Sequence, residues 1–196
     1  VEGAKLGYYP KFHHKINIVP QGFDIKKEKD LVERLKRKSH MDDSDSKKKI
    51  KFLYAGDLYS GKRDLTLFLS YLSSLESYNF AFLIYTSQQE LVTPFLNKLG
   101  GKIKLHGRIP RDLLLEKMCT MDFLINIENP SPIQVPSKLI DFSIVNKPVL
   151  NIRSDYLNKN VIKQFFIGNY KNSMILPDVA EYDIHNIVNQ LLLLYK

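Results

Sequence analysis

The stretch Val135–Leu150 carries polar residues at a spacing that can bind a phosphorylated ligand. Its pattern predicts a helix over Pro136–Val145 followed by a buried strand. Proline suits the first turn of a helix, and the unbonded amides of that turn, with the Ser137 hydroxyl and the Lys138 ammonium, can face a diphosphate. Asp141 lies four residues past Ser137 on the same helix face, where a carboxylate can accept hydrogen bonds from ribose hydroxyls. This spacing fits a nucleotide in extended form.

The elements that must position these residues follow from the hydrophobic pattern. Short β-branched or aromatic runs alternate with longer amphipathic stretches, which predicts parallel strands joined by crossover helices. The predicted strands are Lys15–Val19, Ile50–Ala55, Asn79–Tyr85, Lys102–His106, Phe123–Ile127 and Pro148–Ile152, with a weaker seventh at Ser173–Leu176. The predicted helices are Lys26–Lys38, Lys62–Leu75, Gln88–Leu99, Arg111–Thr120, Pro136–Val145, Asn158–Phe166 and Val179–Tyr195. Residues 1–196 therefore form a single α/β domain around a Rossmann-like, doubly wound parallel sheet of about six strands.

Ligands of such a sheet bind outside the carboxyl ends of the strands, so the strand-to-helix turns are the candidate sites. One strand runs into the glycine-containing turn Gly56–Asp64, and another runs into His106–Pro110. A third is followed by the segment Glu128–Gln134, whose two prolines predict an irregular loop. That loop leads directly into the helix that carries Ser137, Lys138 and Asp141, which supplies the fourth informative turn.

These segments, in this order, resemble the carboxyl-terminal, donor-binding domain of glycosyltransferases with the two-domain GT-B architecture, of the group 1 or surface-polysaccharide type. The likeness covers nearly the whole chain. It rests on an ordered set of individually weak motifs: Ile18-Val-Pro-Gln-Gly-Phe-Asp24, Gly56 with Lys62, His106-Gly-Arg-Ile-Pro110, Pro136-Ser-Lys138 with Asp141, and Lys147-Pro-Val149. The resemblance implies one half of a GT-B enzyme. An amino-terminal acceptor-binding domain is then missing, in keeping with a chain that starts at Val1 without a methionine.

The resemblance also implies a set of site residues. A nucleoside-diphosphate sugar is the expected donor substrate, bound without a metal ion or other cofactor, and no catalytic residue is assigned. Glycine permits close approach of the backbone to a diphosphate, basic side chains neutralise it, and the acid holds the ribose. The expected nucleotide-sugar-binding residues are Gly56, Lys62, Arg63, Gly107, Arg108, Gln134, Ser137, Lys138 and Asp141.

Three positions depart from the family pattern. Asp141 stands where the family usually has a glutamate that binds the ribose, and the shorter side chain requires a closer approach of the helix. Asp57 stands where an arginine often follows the glycine, and a carboxylate there repels phosphate unless it turns away. Ile133 stands where the family often has a glutamate that contacts the donor sugar, which leaves the donor's identity open. The neighbouring Gln134 can exchange hydrogen bonds with sugar hydroxyls in its place.

Composition and charge indicate the expected cellular location and the expected binding partners. No apolar run approaches the ~20 residues that cross a bilayer, residues 1–7 do not have the pattern of a signal peptide, and the single Cys119 suits a reducing compartment, so a cytoplasmic protein is expected. The net charge is +8, and residues 26–51 hold eleven basic and six acidic side chains. A solvated helix face and a mobile polar loop at 39–49 explain this stretch. Peripheral contact with acidic lipid headgroups is the alternative, whereas aromatic interleaving and zinc spacing typical of nucleic-acid binding are absent.

Three other functional classes compete with a glycosyltransferase donor domain that serves surface-polysaccharide or glycan biosynthesis. A catalytically inactive nucleotide-binding module of the same fold is favoured by Asp57 and Ile133. A nicotinamide-dependent oxidoreductase is disfavoured, because no strand ends in Gly-x-Gly-x-x-Gly with an acid some twenty residues on. A basic membrane-surface or nucleic-acid module predicts binding that falls steeply with salt.

Overall fold

Five strands and seven α-helices alternate along the described part of the chain. A computed structural model describes residue 17 and residues 19–39, 49–128 and 137–194. The strands are β1 (Ile50–Ala55), β2 (Phe80–Tyr85), β3 (Ile103–His106), β4 (Phe123–Ile127) and β5 (Val149–Ile152). The helices are α1 (Ile25–Ser39), α2 (Thr66–Ser73), α3 (Thr93–Leu99), α4 (Arg111–Cys119), α5 (Lys138–Val145), α6 (Lys159–Phe166) and α7 (Ile184–Leu193). Short 3-10 helices occupy Gln89–Leu91, Gly100–Lys102 and Val179–Tyr182.

The strands form one parallel sheet in the order β3-β2-β1-β4-β5. The chain builds outward from β1 to β3 and then returns to place β4 on the other side of β1. At this reversal the helices that follow β1 and β4 lie on opposite faces of the sheet, and such a reversal opens a crevice at the carboxyl ends of the two strands. The predicted doubly wound α/β fold is therefore confirmed.

Both faces of the sheet are buried, as continuous apolar strands require. Alternate residues of β1 point to opposite faces, so Phe52 and Tyr54 join one core cluster and Leu53 joins the other. The first cluster is covered by α2, α3 and α6, and the second by α1, α4 and α5. Phe52 stacks on Phe82 and Phe123 with ring centroids 4.6 and 4.7 Å away, which packs the three central strands tightly together.

The prediction of about six strands was too high by one in the described residues. Most of Lys15–Val19 lies outside them, and the weaker candidate Ser173–Leu176 is not a strand. In that segment the Met174 amide donates to the Val149 carbonyl at 2.9 Å, but the Ser173 hydroxyl accepts from the Val149 amide at 2.8 Å. Because a side-chain oxygen takes the place of a backbone carbonyl, the ladder stops at the edge of β5.

The helix predicted at Lys62–Leu75 begins four residues late, at Thr66. Residues before it form a loop in which the backbones of Tyr59 and Arg63 pair, with N···O distances of 2.8 and 2.9 Å. The helix predicted at Val179–Tyr195 divides at Asp183, whose carboxylate accepts from the His185 amide at 2.9 Å and caps α7. Within the described ranges, no helix is both long and apolar enough to cross a membrane. The predicted loop at 39–49 falls almost entirely outside them.

Candidate functional site

A cavity of about 370 Å³ opens where the sheet order reverses. The turn after β1, the carboxyl end of β2, the turn after β3 and the first turn of α5 all contribute to its wall. The lining residues are Ala55, Gly56, Asp57, Tyr85, Arg108, Ile109, Leu114, Met118, Lys138 and Asp141. The structure thus brings four of the predicted site residues together: Gly56, Arg108, Lys138 and Asp141.

Gly56 provides bare backbone at the end of β1. Its φ of +147° is a conformation that residues with a side chain rarely adopt, and a Cβ there would come within 3.3 Å of the Tyr54 hydroxyl oxygen. Its amide donates to the Tyr85 carbonyl at 3.0 Å, which extends the sheet ladder by one bond. A ligand can therefore approach the main chain closely at a rigid point.

Lys138 places a positive charge inside the domain at the start of α5. Its Nζ is buried and has no hydrogen-bond partner among the described residues, and it lies 5.2 Å from the centre of the Tyr54 ring. Burial is the main cause that lowers the pKa of Lys138 to about 8, and the positive charge of Arg63 is the smaller cause. A buried ammonium that lacks an acidic partner is poised to receive an anion.

Asp141 lies about one helical turn past Lys138, partly buried in the same wall. Arg111 Nε and Nη2 both donate to its Oδ1, at 2.9 and 2.6 Å, while Nη1 of the same guanidinium donates to Glu28 Oε1 at 2.7 Å. Burial raises the pKa of Asp141, and the hydrogen bonds and charge of Arg111 oppose that rise. Since both bonds reach Oδ1, Oδ2 remains for hydroxyl donors of a ligand.

Arg111 was missed in the sequence, although a signal existed. It is the first residue of α4, where the positive end of the helix dipole disfavours a cation. A basic residue at that position is stabilised when acids from other elements surround it. Here α1 supplies Glu28 and α5 supplies Asp141, so the guanidinium joins three helices behind the cavity.

Asp57 does not face the cavity as an unpaired carboxylate. Arg108 Nη2 donates to its Oδ1 at 2.5 Å and its Oδ2 at 2.6 Å, and the Ser87 hydroxyl donates to Oδ1 at 3.0 Å. The hydrogen bond from Arg108 is the main cause of a lowered pKa for Asp57. The repulsion that the sequence predicts at this position is therefore offset by a neighbouring turn.

The other predicted site residues are placed differently. Lys62 is exposed and lies outside the cavity wall, whereas the half-buried Arg63 is close enough to lower the pKa of Lys138. Gly107 is exposed in the turn after β3. Ser137 is exposed and already helical, with φ −54° and ψ −29°, and its side chain makes no cap hydrogen bond. Gln134 lies outside the described residues, as do Ile133 and Pro136.

The turn that holds Lys62 and Arg63 is fixed by a residue that carried no sequence signal. The Ser154 hydroxyl accepts from the Asp64 amide and donates to the Lys62 carbonyl, both at 2.9 Å. Ser154 follows β5, so the turn after β1 is tied to the turn after the edge strand. The two basic residues consequently extend from a held loop next to the cavity.

Solved glycosyltransferase structures share this fold. One from Rickettsia africae ESF-5 has a TM-score of 0.60 at 15% identity, over 98% of this chain and 60% of that one. Anabaena Alr3699/HepE, solved in complex with UDP-glucose, has a TM-score of 0.53 at 12% identity, over 90% and 56%. AviGT4, a glycosyltransferase involved in avilamycin A biosynthesis, has a TM-score of 0.52 at 9% identity, over 91% and 57%.

These likenesses establish the class of fold. The chain shares its Rossmann-like α/β fold with part of each of these three structures, which confirms the fold that the sequence resemblance implies. It spans 56 to 60% of the length of the three structures. No protein-family profile matches the sequence, and no curated protein matches it.

Proposed function

We propose that the cavity binds the nucleoside-diphosphate part of a sugar nucleotide and that the chain is the donor-binding domain of a glycosyltransferase. The observation that carries this proposal is the buried ammonium of Lys138, which has no hydrogen-bond partner among the described residues, in the wall that also holds Gly56 and Asp141. A diphosphate supplies the anion that Lys138 lacks. The ribose hydroxyls supply donors for the remaining oxygen of Asp141.

The basic side chains around the cavity would share the charge of the diphosphate. Lys138 and Arg108 line the wall, Arg63 acts on it electrostatically, and the exposed Lys62 extends from the same held turn as Arg63. Transfer of a sugar leaves negative charge on the departing diphosphate, and fixed cations and helix amides at that point lower the barrier. Gln134 and Ser137 are proposed to contact the sugar and a phosphate.

The acceptor is proposed to bind elsewhere in a longer protein, on an amino-terminal domain. The sequence motifs support a role in surface-polysaccharide or glycan biosynthesis, and HepE with UDP-glucose supports this substrate class. An inactive nucleotide-binding module is the second candidate, because Ile133 replaces an acidic residue of the family pattern. A full-length protein that binds a donor but neither transfers nor hydrolyses its sugar would favour that candidate.

The proposal is tested by thermal unfolding of this chain with UDP, GDP, ADP and CMP. A ligand at ten times its dissociation constant stabilises by about 1.4 kcal/mol, which raises the midpoint of a chain of this size by about 3 °C or more. We expect one diphosphate to raise the midpoint, and Lys138→Ala and Asp141→Ala to abolish the rise.

The matched control is Lys163→Ala, which removes an exposed lysine from α6 outside the cavity. It should retain the full rise. The proposal fails if none of the four nucleotides raises the midpoint, or if Lys138→Ala responds as the unsubstituted chain does.

A further inference from the structure

One end of the Arg108 guanidinium is hydrogen-bonded to Asp57, and the other end is free to bind a ligand. Only Nη2 of its guanidinium contacts Asp57, meeting both carboxylate oxygens, at 2.5 and 2.6 Å. Nε and Nη1 form no hydrogen bond with the described residues, and 68% of the side chain is exposed at the cavity wall. A guanidinium carries five N–H donors in a fixed fork, so three of them remain for a ligand.

Asp57 is the fixed member of this pair. Its side chain is 27% exposed, its Oδ1 accepts from the Ser87 hydroxyl at 3.0 Å, and its carbonyl accepts from the Tyr54 hydroxyl at 3.0 Å. Residues that follow β1, β2 and β3 thus meet at one carboxylate. The carboxylate determines where the guanidinium lies, because the Arg108 side chain forms its hydrogen bonds with the described residues to Asp57 alone.

We infer that Asp57 is a positioning residue, which holds Arg108 so that the open edge of its guanidinium binds a phosphate oxygen of the ligand. This inference rests on the proposed function, since it requires a diphosphate in the cavity. An arginine that is already ordered loses less conformational entropy when it binds. Asp57 consequently strengthens binding of the diphosphate through Arg108, although its own charge is negative.

The opposite expectation follows from charge alone. If Asp57 acted only as a negative charge near the phosphates, its removal would strengthen diphosphate binding. The sign of the change in affinity therefore separates the two accounts. An effect through Arg108 also requires that the two residues are energetically coupled.

The experiment is calorimetric titration of this chain with UDP, GDP and ADP, and with uridine, guanosine and adenosine. We expect Asp57→Ala to weaken the binding of the preferred diphosphate about tenfold and to leave the affinity for its nucleoside unchanged. Arg108→Ala should weaken diphosphate binding at least as much. In the Arg108→Ala background, Asp57→Ala should restore part of the affinity, because an unpaired carboxylate is then removed.

Two further variants keep the result interpretable. Asp57→Asn retains the size and one acceptor oxygen, so it should fold and show a smaller loss than Asp57→Ala. Asp155→Ala removes the acid of the exposed Arg153–Asp155 pair, whose closest N···O distance is 2.8 Å, and should leave diphosphate binding unchanged.

The inference is overturned if Asp57→Ala binds the diphosphate as tightly as, or more tightly than, the unsubstituted chain while Arg108→Ala binds it weakly. That pattern would leave the proposed function standing. Failure of the unsubstituted chain to bind any of the three diphosphates would instead overturn the proposed function, and the inference with it.

Discussion

At the scale of single residues, the ammonium of Lys138 opposes folding in the absence of a ligand. The pKa is about 8 in the folded chain against 10.5 for an ordinary lysine, so the charged form is disfavoured by burial. The cost is complete below pH 8, where both states are protonated. This penalty decreases as the pH rises from 8 to 10.5 and disappears above that range, where the lysine is neutral in both states.

Lys138→Met should therefore stabilise the ligand-free chain at pH 7, by on the order of 1 to 3 kcal/mol. The gain should shrink between pH 8 and pH 10.5, since the unsubstituted chain then loses its penalty. Urea unfolding of both chains at pH 7 and pH 10 measures this difference. A methionine variant that is less stable at pH 7 would show that the ammonium is satisfied in the folded state.

Arg111 limits the rise in the pKa of Asp141 that burial causes. Without it, Glu28 and the partly buried Asp141 repel each other, and the already raised pKa of Asp141 should rise further. A raised carboxyl pKa destabilises the folded state above that pKa and has little effect below the unfolded value.

Arg111→Ala should lower the free energy of unfolding by about 1 to 2 kcal/mol at pH 7, a figure reduced for partial exposure of the guanidinium, and by less at pH 4.5. Denaturant titrations at the two pH values give the comparison. The control is Arg153→Ala, which breaks an exposed pair and should leave the stability essentially unchanged. An equal loss at both pH values would argue against the charge explanation.

At the scale of elements, the turn after β1 depends on one glycine. Gly56 combines a φ of +147° with a Cβ position 3.3 Å from the Tyr54 hydroxyl oxygen, so any side chain strains the turn that leads to Asp57. The same strain would move the backbone that a diphosphate approaches.

We expect Gly56→Ala to destabilise the chain by about 1 kcal/mol or more and to weaken diphosphate binding. Gly101→Ala is the matched control, because Gly101 lies in a short helix with nothing within 4 Å of its Cβ position. Thermal unfolding with and without the diphosphate measures both effects. If the Gly56→Ala variant has the same unfolding midpoint and the same diphosphate affinity as the Gly101→Ala control, the turn tolerates a side chain.

The strands that hold the site were predictable because their apolar runs are long and uninterrupted. Phe123–Ile127 was placed to the residue, whereas Ser173–Leu176 was wrong because a serine side chain can replace a backbone acceptor. The prediction starts the helix too early, at Lys62, because the sequence does not show that Asp64 lies before the helix and accepts from the Thr66 amide at 2.7 Å. Local pattern does not show which hydrogen bonds the backbone finally makes.

At the scale of the whole molecule, topology brings the site together from distant parts of the sequence. Gly56, Arg108, Lys138 and Asp141 could be chosen by motif, and the reversal of strand order makes them neighbours. The Asp57–Arg108 pair and the Arg111 bridge could not be predicted. Asp57 and Arg108 are 51 positions apart, and Arg111 and Asp141 are 30 positions apart. No local periodicity of the sequence indicates pairs that are so far apart.

The exposed charges of α1 and the cations at the cavity differ in their surroundings. Exposed basic residues of α1 such as Lys26, Lys27 and Lys29 are interspersed with Asp30 and Glu33, which supports a solvated helix face. The cations proposed to bind the ligand are few, and they lie at or beside one cavity. Peripheral contact with acidic lipids stays a prediction.

The most direct measurement is proton uptake during diphosphate binding. Calorimetric titrations at pH 8, in buffers of different ionisation enthalpy, report the protons taken up with the ligand. If the phosphates contact Lys138, their charge raises its pKa, and the chain should take up a fraction of a proton at pH 8, where the terminal phosphate of the ligand is already ionised. Lys138→Met should abolish the uptake. Binding without uptake at pH 8, or unchanged uptake in the variant, would contradict a diphosphate site at Lys138.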